Sequence, residues 1–252
     1  MAAFGTSTRA MQTYEVVASA IHEQFPDNEL IWAFTSRYVR PHMKKIKSAA
    51  KPPQQVLAEL YSRGIDWAVV QSFHIICGHE FQRLITETGP AAIRVSIGHS
   101  LMCSPQDHLA VMQALSPILD QDQNEAVVLV GHGTDHCCWS TYMAFENLLK
   151  NNYGNRVHVG VVEGNYPRRE DVIRTILKNG YNRVRLVPLM LVAGLHFRED
   201  LAGSGDSWKT AFESAGIEVV LEPHGLGMKK DIAWIFCRHI HQALDLIPIK
   251  PE

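Results

Sequence analysis

A short apolar run that ends in a histidine between two glycines constrains this chain more than any other feature. Residues 127 to 130 are apolar, and a Gly-His-Gly sequence centred on His132 follows them directly. A run this short and this rich in valine is typical of a buried strand in a parallel sheet. The flanking glycines permit a sharp turn and leave the imidazole uncrowded. Because ligands of open α/β sheets bind outside the carboxyl ends of the strands, we expect His132 at a functional site.

Strand and helix signals alternate along the whole chain. A first strand ends near Phe4, and further strands are predicted at 30–36, 67–75, 93–97, 127–130, 157–162, 184–191 and 217–221. Helices are predicted at 7–25, 41–49, 54–64, 105–119, 140–151, 170–179, 207–214 and 228–246. This alternation predicts an α/β protein with parallel sheets and right-handed crossovers.

The two halves of the chain repeat this order and share short motifs. Gly78-His79-Glu80-Phe81 follows the third strand of the first half, and Gly194-Leu195-His196-Phe197 follows that of the second. We therefore expect two similar lobes, residues 1–122 and 123–252, each a parallel sheet flanked by helices, with a cleft between them. Glu80 and His196 would then occupy equivalent places on opposite walls.

Composition limits the class of protein. Charged residues make up 20% of the 252 positions and the formal net charge is −2, so we expect an ordinary soluble globular protein. No basic excess points to nucleic acid, and no apolar run reaches the roughly 18 residues of a membrane span. No signal peptide is visible, which predicts a cytoplasmic location. The abrupt start inside the first strand leaves a periplasmic location open if an N-terminal extension is missing.

The five cysteines have none of the paired Cys-x-x-Cys spacing of zinc sites. We expect them to be buried thiols in a reducing compartment. The thirteen histidines are the more unusual count, and they suit a borderline divalent metal better than a thiolate cluster does.

Three strand ends in the second half each present a side chain that can ligate a metal. These are His132, Glu163 and His196, separated by 31 and 33 residues, about one βαβ unit each. Neighbouring strands would bring them to one point. Two imidazoles and a carboxylate with open positions suit Co²⁺, Fe²⁺, Ni²⁺ or Zn²⁺. The alternative is that Glu163 caps a helix or pairs with Arg168 or Arg169.

A basic stretch lies in the first half. It consists of Arg37, Arg40, Lys44, Lys45, Lys47 and Lys51. Such a run is usually a solvated helix face, but beside a cleft it would attract a polycarboxylate ligand. Ser7, Thr8, Ser36 and nearby helix N-termini would hold carboxylates by the same electrostatic logic.

The combined motifs resemble those of the anaerobic cobalt chelatases of the CbiK type, a branch of the class II chelatases. The motifs that carry the resemblance are Phe4-Gly5-Thr6-Ser7, Ser72-Phe73-His74-Ile75, Gly78-His79-Glu80-Phe81, Gly131-His132-Gly133-Thr134, Val162-Glu163-Gly164-Asn165-Tyr166-Pro167, Pro188-Leu189-Met190-Leu191-Val192-Ala193-Gly194 with His196, and Asp206-Ser207-Trp208-Lys209. They span essentially the whole chain.

The resemblance implies ATP-independent insertion of Co²⁺ into a sirohydrochlorin-type tetrapyrrole on the cobalamin route. It also implies that His132, Glu163 and His196 bind the metal and that Glu80 is an acid on the opposite wall. His132 or His196 would accept one pyrrole proton and Glu80 the other. From these motifs we expect tetrapyrrole contacts and no nucleotide cofactor, and we leave open a homo-oligomer. The expected tetrapyrrole-binding residues are Thr6, Ser7, Ser36, Arg37 and Trp208.

Three other functions compete with this interpretation. Insertion of Fe²⁺, which makes siroheme from the same tetrapyrrole, would use the same ligands. A non-catalytic carrier of metal or tetrapyrrole would keep the ligands and dispense with Glu80. A nucleotide-binding α/β enzyme is disfavoured, because neither a Gly-x-Gly-x-x-Gly nor a Walker A motif occurs.

Overall fold

The computed structural model describes residues 1–6, 11–37, 50–164 and 166–247. The chain divides into two compact units. The first unit combines Met1–Cys103 with Lys230–Glu252, and the second is the continuous segment Ser104–Lys229. The predicted helix at 41–49 lies outside the described residues, as do Ser7, Thr8, Arg40, Lys44, Lys45 and Lys47.

The N-terminal part of the first unit alternates strands and helices. Its elements are β1 (Ala2–Ala3), α1 (Gln12–Gln24), β2 (Ala33–Phe34), α2 (Pro53–Ser62), β3 (Trp67–Gln71), α3 (His79–Thr88) and β4 (Arg94–Gly98). β1 pairs with β2 and β3 pairs with β4, all parallel. A parallel bridge between Ala2 and Ser72 joins the two pairs, so the strand order is β2-β1-β3-β4.

The second unit is built around one four-stranded parallel sheet. Its elements are α4 (Pro105–Leu119), β5 (Ala126–Gly131), α5 (Ser140–Tyr153), β6 (Val157–Val161), α6 (Arg169–Lys178), β7 (Arg183–Pro188), α7 (Trp208–Ser214) and β8 (Glu218–Leu221). The strand order is β6-β5-β7-β8. All six residues of β5 are buried, because this strand has a neighbour on each side and helices against the sheet.

The last helix, α8 (Lys230–Leu244), belongs to the first unit although it ends the described chain. The Phe236 ring lies 4.5 Å from that of Phe73, and His239 Nδ1 lies 3.1 Å from the carbonyl oxygen of His99. Its apolar face supplies buried residues such as Ile232 and Ala233.

This division differs from the one expected at residue 122. The helix α4 belongs to the second unit and α8 belongs to the first. The polar stretch at 121–124, which contains the expected boundary, lies inside the second unit. The buried Arg156 side chain fastens it there by donating hydrogen bonds to the carbonyl oxygens of Leu119 and Asp122. The ring contact of His108 with Phe145, at 5.9 Å, also joins α4 to α5.

The two units share a strand order and a local hydrogen bond. With the strands of each unit numbered along the chain, both sheets run second-first-third-fourth. The backbone amide of Gly5 donates to the Tyr14 hydroxyl at 3.2 Å, and the amide of Gly133 donates to the Tyr142 hydroxyl at 3.2 Å. Both glycines have a positive φ, 100° and 94°. The first strand of each unit therefore ends in the same tight turn.

None of the helices in the described ranges combines the length and the apolar character that are needed to cross a bilayer.

Candidate metal centre

The turn after β5 brings the backbones of two predicted ligands together. The amide of Glu163 donates to the carbonyl oxygen of His132 at 2.7 Å. Gly133, the residue after His132, has φ 94°, and a Cβ added there would lie 1.6 Å from the carbonyl oxygen of Glu163. Only glycine fits this position, because both its conformation and its contact exclude a side chain. The Gly-His-Gly sequence is thus what allows the loops after β5 and β6 to meet.

His132, Glu163 and His196 converge at the carboxyl ends of three adjacent strands. One ligand atom from each lies within 4.8 Å of those from the other two, and no other such group occurs among the described residues. His132 Nε2 lies 3.8 Å from Glu163 Oε1. The two imidazole rings are perpendicular, with their centroids 4.6 Å apart. All three side chains are at least partly exposed, so they can meet a ligand from solvent.

His196 is oriented by an acid that sequence reasoning missed. Its Nδ1 lies 2.8 Å from Asp200 Oδ2, within a short π-helical stretch at Phe197–Leu201. Because Asp200 occupies one ring nitrogen, Nε2 is the nitrogen that stays available for a metal. The available signal was an aspartate four residues after a candidate ligand, which places both on one helical face.

Exposed apolar side chains also lie close in the chain to the three candidate ligands. Trp139 precedes α5 and Tyr166 follows Glu163 by three residues, and their rings lie 6.0 Å apart at 89°. Leu195, next to His196, is 49% exposed, as is Tyr166, and Trp139 is 41% exposed. Exposed aromatic groups next to polar ligands are typical of sites for large planar molecules.

Trp208 lies elsewhere, in the core of the second unit. Its side chain is 2% exposed and belongs to the cluster that β5 and β7 form with α6 and α7. A Cβ added to Gly160 would lie 2.2 Å from the indole, so the ring fills the space that this glycine leaves. This position corrects the expectation that Trp208 contacts the tetrapyrrole.

The remaining candidates belong to the first unit. Glu80 lies in the first turn of α3 and is partly exposed, with Thr35 Oγ1 donating to Oε2 at 3.2 Å and Arg83 to Oε1 at 3.1 Å. Arg37 is exposed, whereas Thr6 and Ser36 are only 7% and 2% exposed. Burial leaves the Ser36 hydroxyl no surface to offer a ligand. The predicted contact of Ser7 lies outside the described residues.

Because the two units share a topology, the residues of the first unit that correspond to His132, Glu163 and His196 can be identified. Ser36 N donates to Phe4 O at 3.2 Å, as Glu163 N donates to His132 O. Phe4 and Ser36 therefore occupy the places of His132 and Glu163. Glu80 follows the third strand of its unit as His196 follows that of the second. One unit thus carries three candidate ligands and the other a single acid.

Comparison with known proteins identifies the family. The sequence profile of the family described as cobalt chelatase (CbiK) matches residues 1–245. The chain belongs to the cobalt chelatase (CbiK) family. This membership confirms the resemblance of the motifs and the predicted class of enzyme, a metal chelatase.

Curated relatives and solved structures agree with this membership. The chain is 34% identical to the sirohydrochlorin cobaltochelatase of Salmonella typhimurium, over 96% of this chain and 94% of the relative. It is 29% identical to the sirohydrochlorin cobaltochelatase CbiKC of Nitratidesulfovibrio vulgaris, over 98% and 90%. The structure of SirB from Bacillus subtilis with Fe³⁺ superposes with a TM-score of 0.64 at 14% identity, covering 96% of this chain and 93% of SirB. This superposition confirms the predicted α/β fold.

Proposed function

We propose that this chain inserts Co²⁺ into sirohydrochlorin, without ATP, in cobalamin biosynthesis. The observation that carries the proposal is the convergence of His132, Glu163 and His196 in a chain of the cobalt chelatase family. Two imidazoles and one carboxylate match the ligands that Co²⁺ accepts and leave coordination positions open for ring nitrogens. Thiolate ligands would hold the ion more tightly and would hinder its transfer.

The substrate ion binds first in this proposal. His132 and His196 offer neutral nitrogens and Glu163 offers a charged oxygen, so the site replaces part of the hydration shell of the ion. Asp200 keeps His196 in the tautomer whose Nε2 is a ligand. Ring nitrogens then displace these ligands stepwise.

The macrocycle packs against the exposed aromatic side chains beside the ligands. Trp139 and Tyr166 present apolar rings, and a tetrapyrrole is a large planar group that stacks on such surfaces. Arg37, exposed in the first unit, is the proposed partner of the peripheral carboxylates of the substrate.

Insertion of a divalent ion releases two pyrrole protons. As it gives up the metal, one of His132 and His196 accepts the first proton, since neutral imidazole is the side chain suited to proton transfer near pH 7. Glu80 is the proposed acceptor of the second. Hydrogen bonds from Thr35 and Arg83 fix its carboxylate in one orientation.

The proposal is tested by anaerobic insertion assays with sirohydrochlorin, followed by absorbance, with Co²⁺ and Fe²⁺ measured separately. We expect Co²⁺ turnover in the wild type and a rate at least about 100-fold lower in His132→Ala and His196→Ala. Exposed His22 on α1 supplies the matched control, and His22→Ala should retain the wild-type rate. Faster turnover with Fe²⁺ would identify Fe²⁺, rather than Co²⁺, as the substrate metal. Tight binding without turnover would instead indicate a carrier.

Two further variants separate binding from proton transfer. Trp139→Ala should raise KM for the tetrapyrrole several-fold with a smaller effect on kcat, because it removes contact area. Glu80→Gln should lower kcat with little change in KM. An unchanged kcat in Glu80→Gln would remove Glu80 from the mechanism.

A further inference from the structure

Two cysteines of the first unit lie side by side. Cys77 follows β3 and Cys103 follows β4, and their sulfur atoms are 3.7 Å apart. Neither forms a disulfide, and Cys103 is exposed while Cys77 is half-buried. The expectation that the cysteines are buried thiols is therefore wrong for Cys103 and also for Cys137, which is exposed.

Backbone hydrogen bonds hold the two cysteine loops together. Leu101 N donates to His74 O and Met102 N donates to Ile75 O, both at 2.9 Å. The loops therefore continue side by side beyond the ends of their strands. Neighbouring parallel chains lie about 4.8 Å apart, which falls within the Cα separations that a disulfide spans.

The two sulfur atoms lie at about van der Waals contact distance. A disulfide has a length of about 2.05 Å, so the sulfurs must approach by roughly 1.7 Å, which side-chain rotation on adjacent loops can supply. The buried hydroxyl of Ser100 lies 2.8 Å from the Cys77 sulfur and keeps this side chain beside Cys103.

We propose that Cys77 and Cys103 form a redox-active thiol pair that low-molecular-weight disulfides oxidise to an intramolecular disulfide. The exposed Cys103 thiolate attacks one sulfur of the small disulfide, which forms a mixed disulfide and releases one small thiol. Cys77 then attacks the Cys103 sulfur and expels the second small thiol. The two protein protons leave with the two small thiols, and the small disulfide is reduced as the protein is oxidised.

The disulfide would restrain the segment that carries Glu80. Cys77 directly precedes Gly78, the residue before α3, and Glu80 lies in the first turn of that helix. A covalent bond to Cys103 ties the start of α3 to the loop after β4. The proposal does not depend on the chelatase reaction, because thiol chemistry and local restraint are measured without substrate.

The other cysteines provide internal references. Burial raises the pKa of the Cys237 thiol to about 11, so it carries little thiolate near pH 7. Cys137 is exposed like Cys103, which makes Cys137→Ser a matched control that leaves the thiol pair intact.

The test treats the full chain with oxidised glutathione, alkylates the remaining thiols in denaturant and maps the peptides by mass. We expect two of the five cysteines to be protected, in one peptide pair joining Cys77 to Cys103, and dithiothreitol to reverse this. Cys137→Ser should give the same bond, and Cys77→Ser should retain glutathione on Cys103. A stable glutathione adduct on wild-type Cys103, or a bond between Cys137 and Cys138, would overturn the proposal.

Amide hydrogen exchange tests the restraint. Exchange over residues 76–80 should slow several-fold on oxidation of the wild type and stay unchanged in Cys103→Ser. Equal exchange in oxidised and reduced wild type would show that the bond does not restrain the segment of Glu80.

Discussion

At the scale of single residues, the positions that matter most are those that bring the three predicted ligands together. His132 and Glu163 are close because Gly133 lets two loops touch, and His196 has a fixed orientation because Asp200 holds one of its nitrogens. Substitution of Gly133 or Asp200 should therefore have effects that differ from those of replacing one of the three predicted ligands.

Gly133→Ala should destabilise the protein by about 3 kcal/mol or more, because the added Cβ meets the carbonyl oxygen of Glu163 and φ is 94°. Gly180 distinguishes the steric clash from the backbone strain, because it has φ 81° but an added Cβ there would have nothing within 4 Å. Gly180→Ala should therefore cost only about 1–2 kcal/mol, from the backbone conformation alone. Urea unfolding measures both variants, and equal losses would contradict the role given to the loop contact.

Asp200→Asn should weaken Co²⁺ binding about 10- to 100-fold, because the imidazole of His196 loses the partner that orients it. Glu199→Gln removes a charge from an exposed position of the same stretch and should leave the affinity unchanged. Titration followed by the visible absorption of bound Co²⁺ gives both constants. A similar fall in both variants would mean that net charge, rather than orientation, is what Asp200 contributes.

The environment of His74 predicts how the free energy of unfolding depends on pH. Burial lowers its pKa from 6.5 to about 4, and its Nε2 has no hydrogen-bond partner. Between these values the unfolded chain binds a proton that the folded chain does not. The free energy of unfolding should therefore fall as the pH is lowered through this window, by up to about 3 kcal/mol.

His74→Asn removes this titration and keeps a polar atom near Ser72 Oγ, which lies 2.9 Å from His74 Nδ1. Urea unfolding at pH 7, 5.5 and 4.5 should show a shallower loss in His74→Asn than in the wild type. The exposed control His22→Asn should follow the wild type. Parallel curves for all three proteins would contradict the buried neutral state of His74.

At the scale of elements, α8 decides how the first unit is completed. It is last in the described chain, yet it packs on β3, β4 and α1, elements that precede it by more than a hundred residues. Its Phe236 is fully buried and contacts Phe73.

Phe236→Ala should reduce the free energy of unfolding by about 3–5 kcal/mol, as is usual for loss of a buried phenylalanine. Trp234 lies on the opposite, exposed face of the same helix, and Trp234→Ala should cost less than about 1 kcal/mol. Denaturant unfolding of the two variants compares the faces directly. A loss with Trp234→Ala as large as that with Phe236→Ala would contradict this packing.

At the scale of the whole molecule, the division of the chain separates a continuous unit from a discontinuous one. Ser104–Lys229 holds a complete four-stranded sheet and all three predicted metal ligands, whereas the other unit needs both ends of the chain.

Residues 104–229 expressed alone should fold and bind Co²⁺ with an affinity within about 10-fold of that of the full chain, since the ligands and Asp200 are all present. They should show no insertion activity, because Glu80 and Arg37 are absent. Circular dichroism and Co²⁺ absorption test the first statement, and the insertion assay tests the second. A folded segment that binds no Co²⁺ would refute the proposed ligand set.

The sequence by itself determined the features that depend on local pattern. Apolar runs located the strands of the second unit, the predicted helix at 105–119 coincides with α4, and spacing selected His132, Glu163 and His196. The strands and α4 lie where they were expected, and the three side chains converge, because burial and backbone conformation leave a periodic or glycine-marked trace in the chain. The helix α3, which begins directly after Gly78, was not predicted.

Only the tertiary structure decided which distant residues meet. It moved α8 into the first unit, buried Trp208 against Gly160 and brought Cys77 beside Cys103. None of these contacts has a signature in local composition. The partners are joined by the packing of whole elements, and the free energy of that packing depends on surfaces that no short stretch of sequence contains.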